Sequence, residues 1–152
     1  MKTIIAALLM SSTMSYAQWR HNGVPIVDTI VNTSTFLLPQ CAEDGAGGAI
    51  VCWRDSRSGQ GLDIYAQHID SGGVVQWQTN GIPVCTAPLN QNFPRMISDG
   101  EGGAIIGWED DRDTVDTKMY AQKVSHTGQY LPAQVSASCS FKQNDSDSIG
   151  AP

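Results

Sequence analysis

Two stretches of this chain are one stretch written twice, and that repetition limits the folds open to it more than any other feature. From Asp44 the chain runs D-G-A-G-G-A-I-V-C-W-R-D-S-R and later Y-A-Q-H-I; from Asp99 it runs D-G-E-G-G-A-I-I-G-W-E-D-D-R and later Y-A-Q-K-V. Trp53 and Trp108 stand 55 residues apart, as do Tyr65 and Tyr120, and Pro39 and Pro94. Between Asp44 and Gly73, 13 of 30 positions are identical at this offset, which marks a duplication. A second piece repeats at an offset of 58: W-R-H-N-G-V-P-I from Trp19 matches W-Q-T-N-G-I-P-V from Trp77. The difference in offset falls in a connection, where length varies most freely. After Gly128 a worn third copy of the tail runs through Pro132 to Pro152.

Within each unit the pattern is that of strands. Asp44-Gly45 and Asp99-Gly100, each followed by Gly-Gly, carry the turn chemistry that joins two strands in a hairpin. The strands after the turn, Ala49–Trp53 and Ala104–Trp108, are apolar without alternation, which predicts cover on both faces. A third strand is expected over Asp63–Asp70 and Lys118–Ser125, followed by a Gly-containing turn and a fourth strand. Four short strands per unit predict an all-β chain of tandem four-stranded antiparallel repeats, part of a β-propeller. Two packed sheets in a β-sandwich are the alternative architecture.

The first 17 residues follow a different logic. Lys2 supplies a positive start, Ile4 to Met10 an apolar run, and Ser15-Tyr16-Ala17 a small-x-small cleavage signal. The run is far short of the roughly 20 apolar residues of a membrane span. The expected organisation is therefore a signal peptide over 1–17, a tail strand and connection over 18–38, one blade over 39–93, and a second blade with the start of the next connection over 94–152. A secreted or cell-surface address follows. The net charge of −6, with no basic run, argues against nucleic acid or an anionic membrane as partner.

Export makes Cys41, Cys52, Cys85 and Cys139 candidates for disulfides, with three pairings open. If the Asp44–Gly47 turn closes a hairpin, Cys41 and Cys52 lie diagonally on one face, which makes them the preferred pair. Free buried thiols are the competing expectation.

The string D-G-x-G-G-A-I-x-x-W-x-D-x-R followed by Y-A-Q resembles uncharacterised propeller-type repeats of large exported bacterial proteins, over roughly residues 19–135. Such proteins often carry a C-terminal sorting domain for outer-membrane secretion. The resemblance implies a propeller-like repeat and no activity. The chain is accordingly expected to be an N-terminal fragment of a longer protein, whose further blades close a ring; assembly of short chains into one ring is the other resolution.

Asp55 and Arg57, repeated as Asp110 and Arg112, are the most function-like polar residues, because each pair follows a Trp in the core, Trp53 or Trp108. As a binding surface they would grip sugar hydroxyls or a carboxylate, with the Trp rings as stacking platforms. As structure they would brace the loop leaving the second strand. Repetition favours the brace, because a catalytic site needs each group once and a blade needs its brace every time. The acidic run Glu109-Asp110-Asp111-Arg112-Asp113, with Asp116, has oxygen ligands suited to Ca²⁺ but lacks the spacing of a dedicated loop, so a solvated loop is expected and no cofactor is assigned. His21, His68 and His126 share no metal spacing or repeat position. No catalytic motif is present, and the expected function is a non-catalytic interaction or scaffold module with a protein or glycan partner. The alternatives are a glycan-binding lectin, or part of a glycosidase or sialidase-like enzyme whose catalytic residues lie outside this chain.

Overall fold

The computed structural model describes residues 19–27 and 38–131. Residues 1–17, expected as a signal peptide, the connection over 28–37, Cys139 and the stretch expected as a third tail lie outside these residues. The described residues form eight strands and no helix. Strands β1 (Gln40–Glu43), β2 (Ala49–Asp55), β3 (Asp63–Ile69) and β4 (Ile82–Cys85) make one antiparallel sheet in that order. Strands β5 (Gln91–Ser98), β6 (Ala104–Asp110), β7 (Lys118–Val124) and β8 (Tyr130–Leu131) make the second in the same way. The all-β class and the two four-stranded antiparallel sheets are as the sequence predicts. The 19–27 segment is a turn followed by irregular chain, without strand pairing.

The Asp-Gly hairpins explain their own sequence. Asp44 Oδ1 accepts the N–H groups of Ala46 and Gly48 at 2.8 Å each, and Asp99 Oδ1 accepts those of Glu101 and Gly103 at the same distance. Gly45 and Gly47 take positive φ of 74° and 87°, which an L side chain adopts only with strain. Gly48 and Gly103 are required for a different reason: a Cβ would stand 2.3 Å from the carbonyl oxygen of Ile69 or Val124 on the neighbouring strand. Trp53 then falls opposite Tyr65, and Trp108 opposite Tyr120, in matching register.

The two sheets pack through unlike faces. Ile50, Cys52, Ile64 and Ala66 of the first sheet join Ala104, Ile106, Trp108 and Val124 of the second in one core, with Trp77 beside them. In the repeat, Ile50 corresponds to Ile105, not to Ile106, so the face that the first sheet turns inward is the face that the second turns outward. The expectation of cover on both faces, made for β2 and β6, is met only in part. On β2 Ile50 and Cys52 are buried on one face while Ala49 and Val51 on the other are half-buried, and the strand buried along its whole length is β3. On β6 one face is covered and Ile105 on the other is exposed.

Trp77 closes the joint between the sheets. Its indole N–H donates to the His126 carbonyl at 2.9 Å, and its ring lies over Gly128, where a Cβ would come within 3.2 Å of it. Trp19 does the same to the first sheet, donating to the Ser71 carbonyl at 3.0 Å beside Gly73. The repeat at an offset of 58 is therefore a repeated latch.

The Cys41–Cys52 pairing is not formed. Cys41 faces Val51 across the ladder and Cys52 faces Gln40, so the two thiols point to opposite sides of the sheet. The turn is one residue longer than Asp44–Gly47, because the backbone N–H of Asp44 donates to the Gly48 carbonyl, and one residue of register moves every side chain to the other face. Cys41, Cys52 and Cys85 are free; Cys41 is exposed, and burial pushes the Cys52 thiol up to about 12. In the native protein, a thiol reagent is expected to label Cys41 and spare Cys52 until the chain is denatured. Peptide mass mapping with and without denaturant checks this, and a 41–52 linked peptide without reductant would contradict it.

Candidate functional site

Each β2–β3 and β6–β7 connection begins with the same four-residue cluster. Asp55 is fully buried and receives the Trp53 indole N–H at 2.9 Å, the Arg57 backbone N–H at 3.0 Å, and the guanidinium through Nε and Nη2, at 2.9 and 2.5 Å to Oδ2. Arg57 Nη1 donates to the Asn80 carbonyl at 2.8 Å, and its guanidinium carbon lies 3.9 Å from the centre of the Tyr65 ring. Asp110 repeats this with Trp108 at 2.8 Å and with Arg112 through its backbone N–H and Nε at 2.9 Å and Nη2 at 2.5 Å, and Arg112 lies 4.0 Å from the Tyr120 ring. Burial alone would raise the Asp110 carboxyl, but the Arg112 fork and the Trp108 N–H outweigh it and hold it well below the usual carboxylate range. Asp55 is lowered against the same burial.

This geometry assigns the groups to one another. The carboxylates each take four donors from the neighbouring Trp and Arg, Asp110 takes the Cys85 thiol as well at 3.8 Å, and the Trp53 and Trp108 rings, 2% and 3% exposed, offer no face to a sugar. The six residues singled out from sequence thus come together as two braces of three, one on each sheet. What the arrangement does chemically is fix the loop and screen a buried charge.

The acidic loop lines a shallow cleft of about 340 Å³ with Asp111, Asp113, Thr114, Val115, Asp116 and Thr117. Asp111 Oδ1 accepts the Thr117 hydroxyl at 2.8 Å, and Asp113 pairs with Lys118. Among the described residues, no three His, Cys, Asp or Glu side chains gather as a metal site. The histidines are scattered: His68 Nε2 meets Asp44 Oδ2 at 2.8 Å, and His21 meets Asn22 at 3.0 Å.

Sequence reasoning gave no separate role to Asp63. It is 2% exposed, lies opposite Asp55 in the ladder, and has one carboxylate oxygen, Oδ2, buried without a hydrogen-bond partner. It lines a cleft of about 240 Å³ with Ser58, Gln60, Thr86, Ala87 and Pro88. Burial pushes its carboxyl up, and the neighbouring Asp55 charge adds to that. The available signal was a departure from repetition, since the matching position in the second unit is Lys118. Comparison with protein-family models, with curated proteins and with solved structures gives no match to this chain.

Proposed function

We propose that the chain is a non-catalytic interaction or scaffold module built of propeller-type blades, in a protein exported through its N-terminal signal. The observation that carries this is the packing of unlike faces. A sandwich of two duplicated sheets would bury equivalent faces against each other and leave two polar exteriors. Here each sheet offers its neighbour a different face, so the same joint can follow itself from unit to unit, as it does between blades. Bracing of the repeated Asp–Arg pairs supports a module without chemistry of its own. Lys2, Ile4–Met10 and Ala17 support export to the cell surface or beyond.

A second reading rests on Asp63. Its unpartnered oxygen, in a cleft with Ser58, Gln60 and Thr86, suits a small hydroxyl-bearing ligand such as a glycan terminus. One experiment separates the two: incubation with a panel of chromogenic glycosides, and binding to a glycan array, with Asp63→Asn as control. The module reading expects no turnover and no array signal that depends on Asp63. Glycoside turnover lost in Asp63→Asn would overturn it, and array binding lost in that variant would put the glycan reading in its place.

A further inference from the structure

The strongest unexplained feature of the molecule is the outward face of the second sheet. In the first sheet, Ile50 and Ile64 are 0% exposed, covered by the second sheet. Their counterparts one unit later, Ile105 and Met119, are 37% and 72% exposed. Ile97 on β5, opposite Ile105, is 56% exposed, Gly107 and Ala121 keep the middle of this face low, as Cys52 and Ala66 do in the covered one, and Arg95, Glu109 and Lys123 stand on the same face around them. An exposed apolar patch rimmed by polar residues in this way marks an interaction site.

The covered joint states what fits there. Ile50, Cys52, Ile64 and Ala66 are covered by a sheet presenting Ala104, Ile106, Trp108 and Val124. The chain carries a second surface of that kind, on the outward side of the first sheet, where Ala49, Val51, Trp53 and Ile69 occupy the same register positions. Trp53 and Ile69 are already buried there, at 2% and 4%, and Ala49 and Val51 are half-buried, whereas Ala104 and Ile106 in the joint are fully buried. The latch is duplicated too. Trp77 reaches from the first sheet to the His126 carbonyl of the second, and Trp19 holds the Ser71 carbonyl of the first sheet, at the place where the tail of a preceding sheet belongs.

We propose that the outward face of the second sheet docks a second copy of this chain, head to tail, through the Ala49–Val51 side of that copy's first sheet. This deepens the scaffold reading and rests on it. The contact repeats the internal joint between sheets, so it is heterologous: each copy gives one face and receives the other. Such contacts close into a ring when the rotation per unit allows, and otherwise extend. The partner's Trp53-bearing sheet would cover Ile105 and Met119 as Trp108 and its neighbours cover Ile50 and Ile64.

The test is the solution mass of the chain by light scattering over a range of concentrations, with two variants that block one face each. Met119→Lys disables the second sheet's face at an exposed position, and Val51→Lys disables the first sheet's face. The wild type is expected at a mass of two or more chains. Each variant alone is expected to stay a monomer, with a cooperative thermal transition showing that it is folded. Mixed in equal amounts, the two variants have one intact pair of faces between them and are expected to form a dimer that grows no further. A wild type that is a folded monomer at every concentration overturns the proposal and leaves the scaffold reading standing. Association abolished by Met119→Lys but untouched by Val51→Lys overturns it as well, because the two copies would then meet through equivalent faces.

Discussion

Replacing Trp77 with alanine is expected to uncouple the two sheets, so that urea unfolds the second before the first. The ring is 9% exposed, belongs to the shared core, and donates from its indole to the His126 carbonyl. Its backbone N–H is held by Gln67 Oε1 at 3.0 Å, and it packs against the His68 ring at a centroid distance of 5.8 Å. Truncating a buried Trp to Ala costs about 3–5 kcal/mol. Here the cost falls on the contact between sheets more than on either sheet. A domain of this size has a total stability on the order of 0.05–0.15 kcal/mol per residue, so a loss of this size removes much of the coupling. Trp19→Ala is the matched control. Its indole makes the same bond to Ser71, but the ring is 53% exposed, and about 1 kcal/mol or less is expected. Tryptophan fluorescence and far-ultraviolet circular dichroism should diverge for Trp77→Ala and coincide for Trp19→Ala. Coincident curves for Trp77→Ala would show that the latch is not what joins the sheets.

Asp110→Ala carries the second large effect. Without the carboxylate, the Trp108 N–H and the backbone N–H and Nε of Arg112 lose their acceptor, Nη2 keeps only the Cys85 sulfur at 3.1 Å, and a guanidinium is left against Tyr120 with its carboxylate partner gone. Breaking a buried pair by removing one partner costs about 3–5 kcal/mol. The Arg112 side chain is 33% exposed and recovers some hydration, which places the expected loss near the lower end, about 3 kcal/mol. Asp110→Asn keeps an acceptor and should lose about half as much. The pH dependence has a definite sign. The folded carboxyls of Asp55 and Asp110 lie below the ordinary unfolded value of about 3.9. Their contribution is therefore complete above about pH 4 and fades as the pH falls through the depressed folded values. Asp63 is raised in the fold and works the other way, gaining stability as it is protonated. Urea midpoints should hold from neutral pH down to about pH 4 and fall below it, and the Asp110→Asn curve should fall less.

How far the sequence announces this structure depends on how local each feature is. The hairpins, β2, β3, β6 and β7 are legible because Asp-Gly-x-Gly-Gly is read within five residues and the strand pattern within seven. The Asp–Arg brace is legible by its repetition. Which face Cys52 occupies is not, because the answer turns on whether Gly48 belongs to the turn or the strand, and a hydrogen bond to Asp44 decides it. The Asp63 cleft is illegible for another reason: Thr86, Ala87 and Pro88 reach it from the connection between the sheets, whose path no periodicity describes. The latch lay in plain view as Trp19 and Trp77, but its role needs the carbonyls of Ser71 and His126, 52 and 49 residues away.

The latch also bears on how such a chain can change length over generations. Trp77 leaves one sheet and fastens the next, so the boundary of the fastened joint does not coincide with the boundary of a sheet. A tandem copy or a deletion of one 55-residue period therefore inserts or removes a sheet together with one complete fastening, and every neighbour keeps the contacts it had. A gene lengthened or shortened in this way would keep its joints sound, and the surfaces at the two ends would be the same two surfaces whatever the number of units between them.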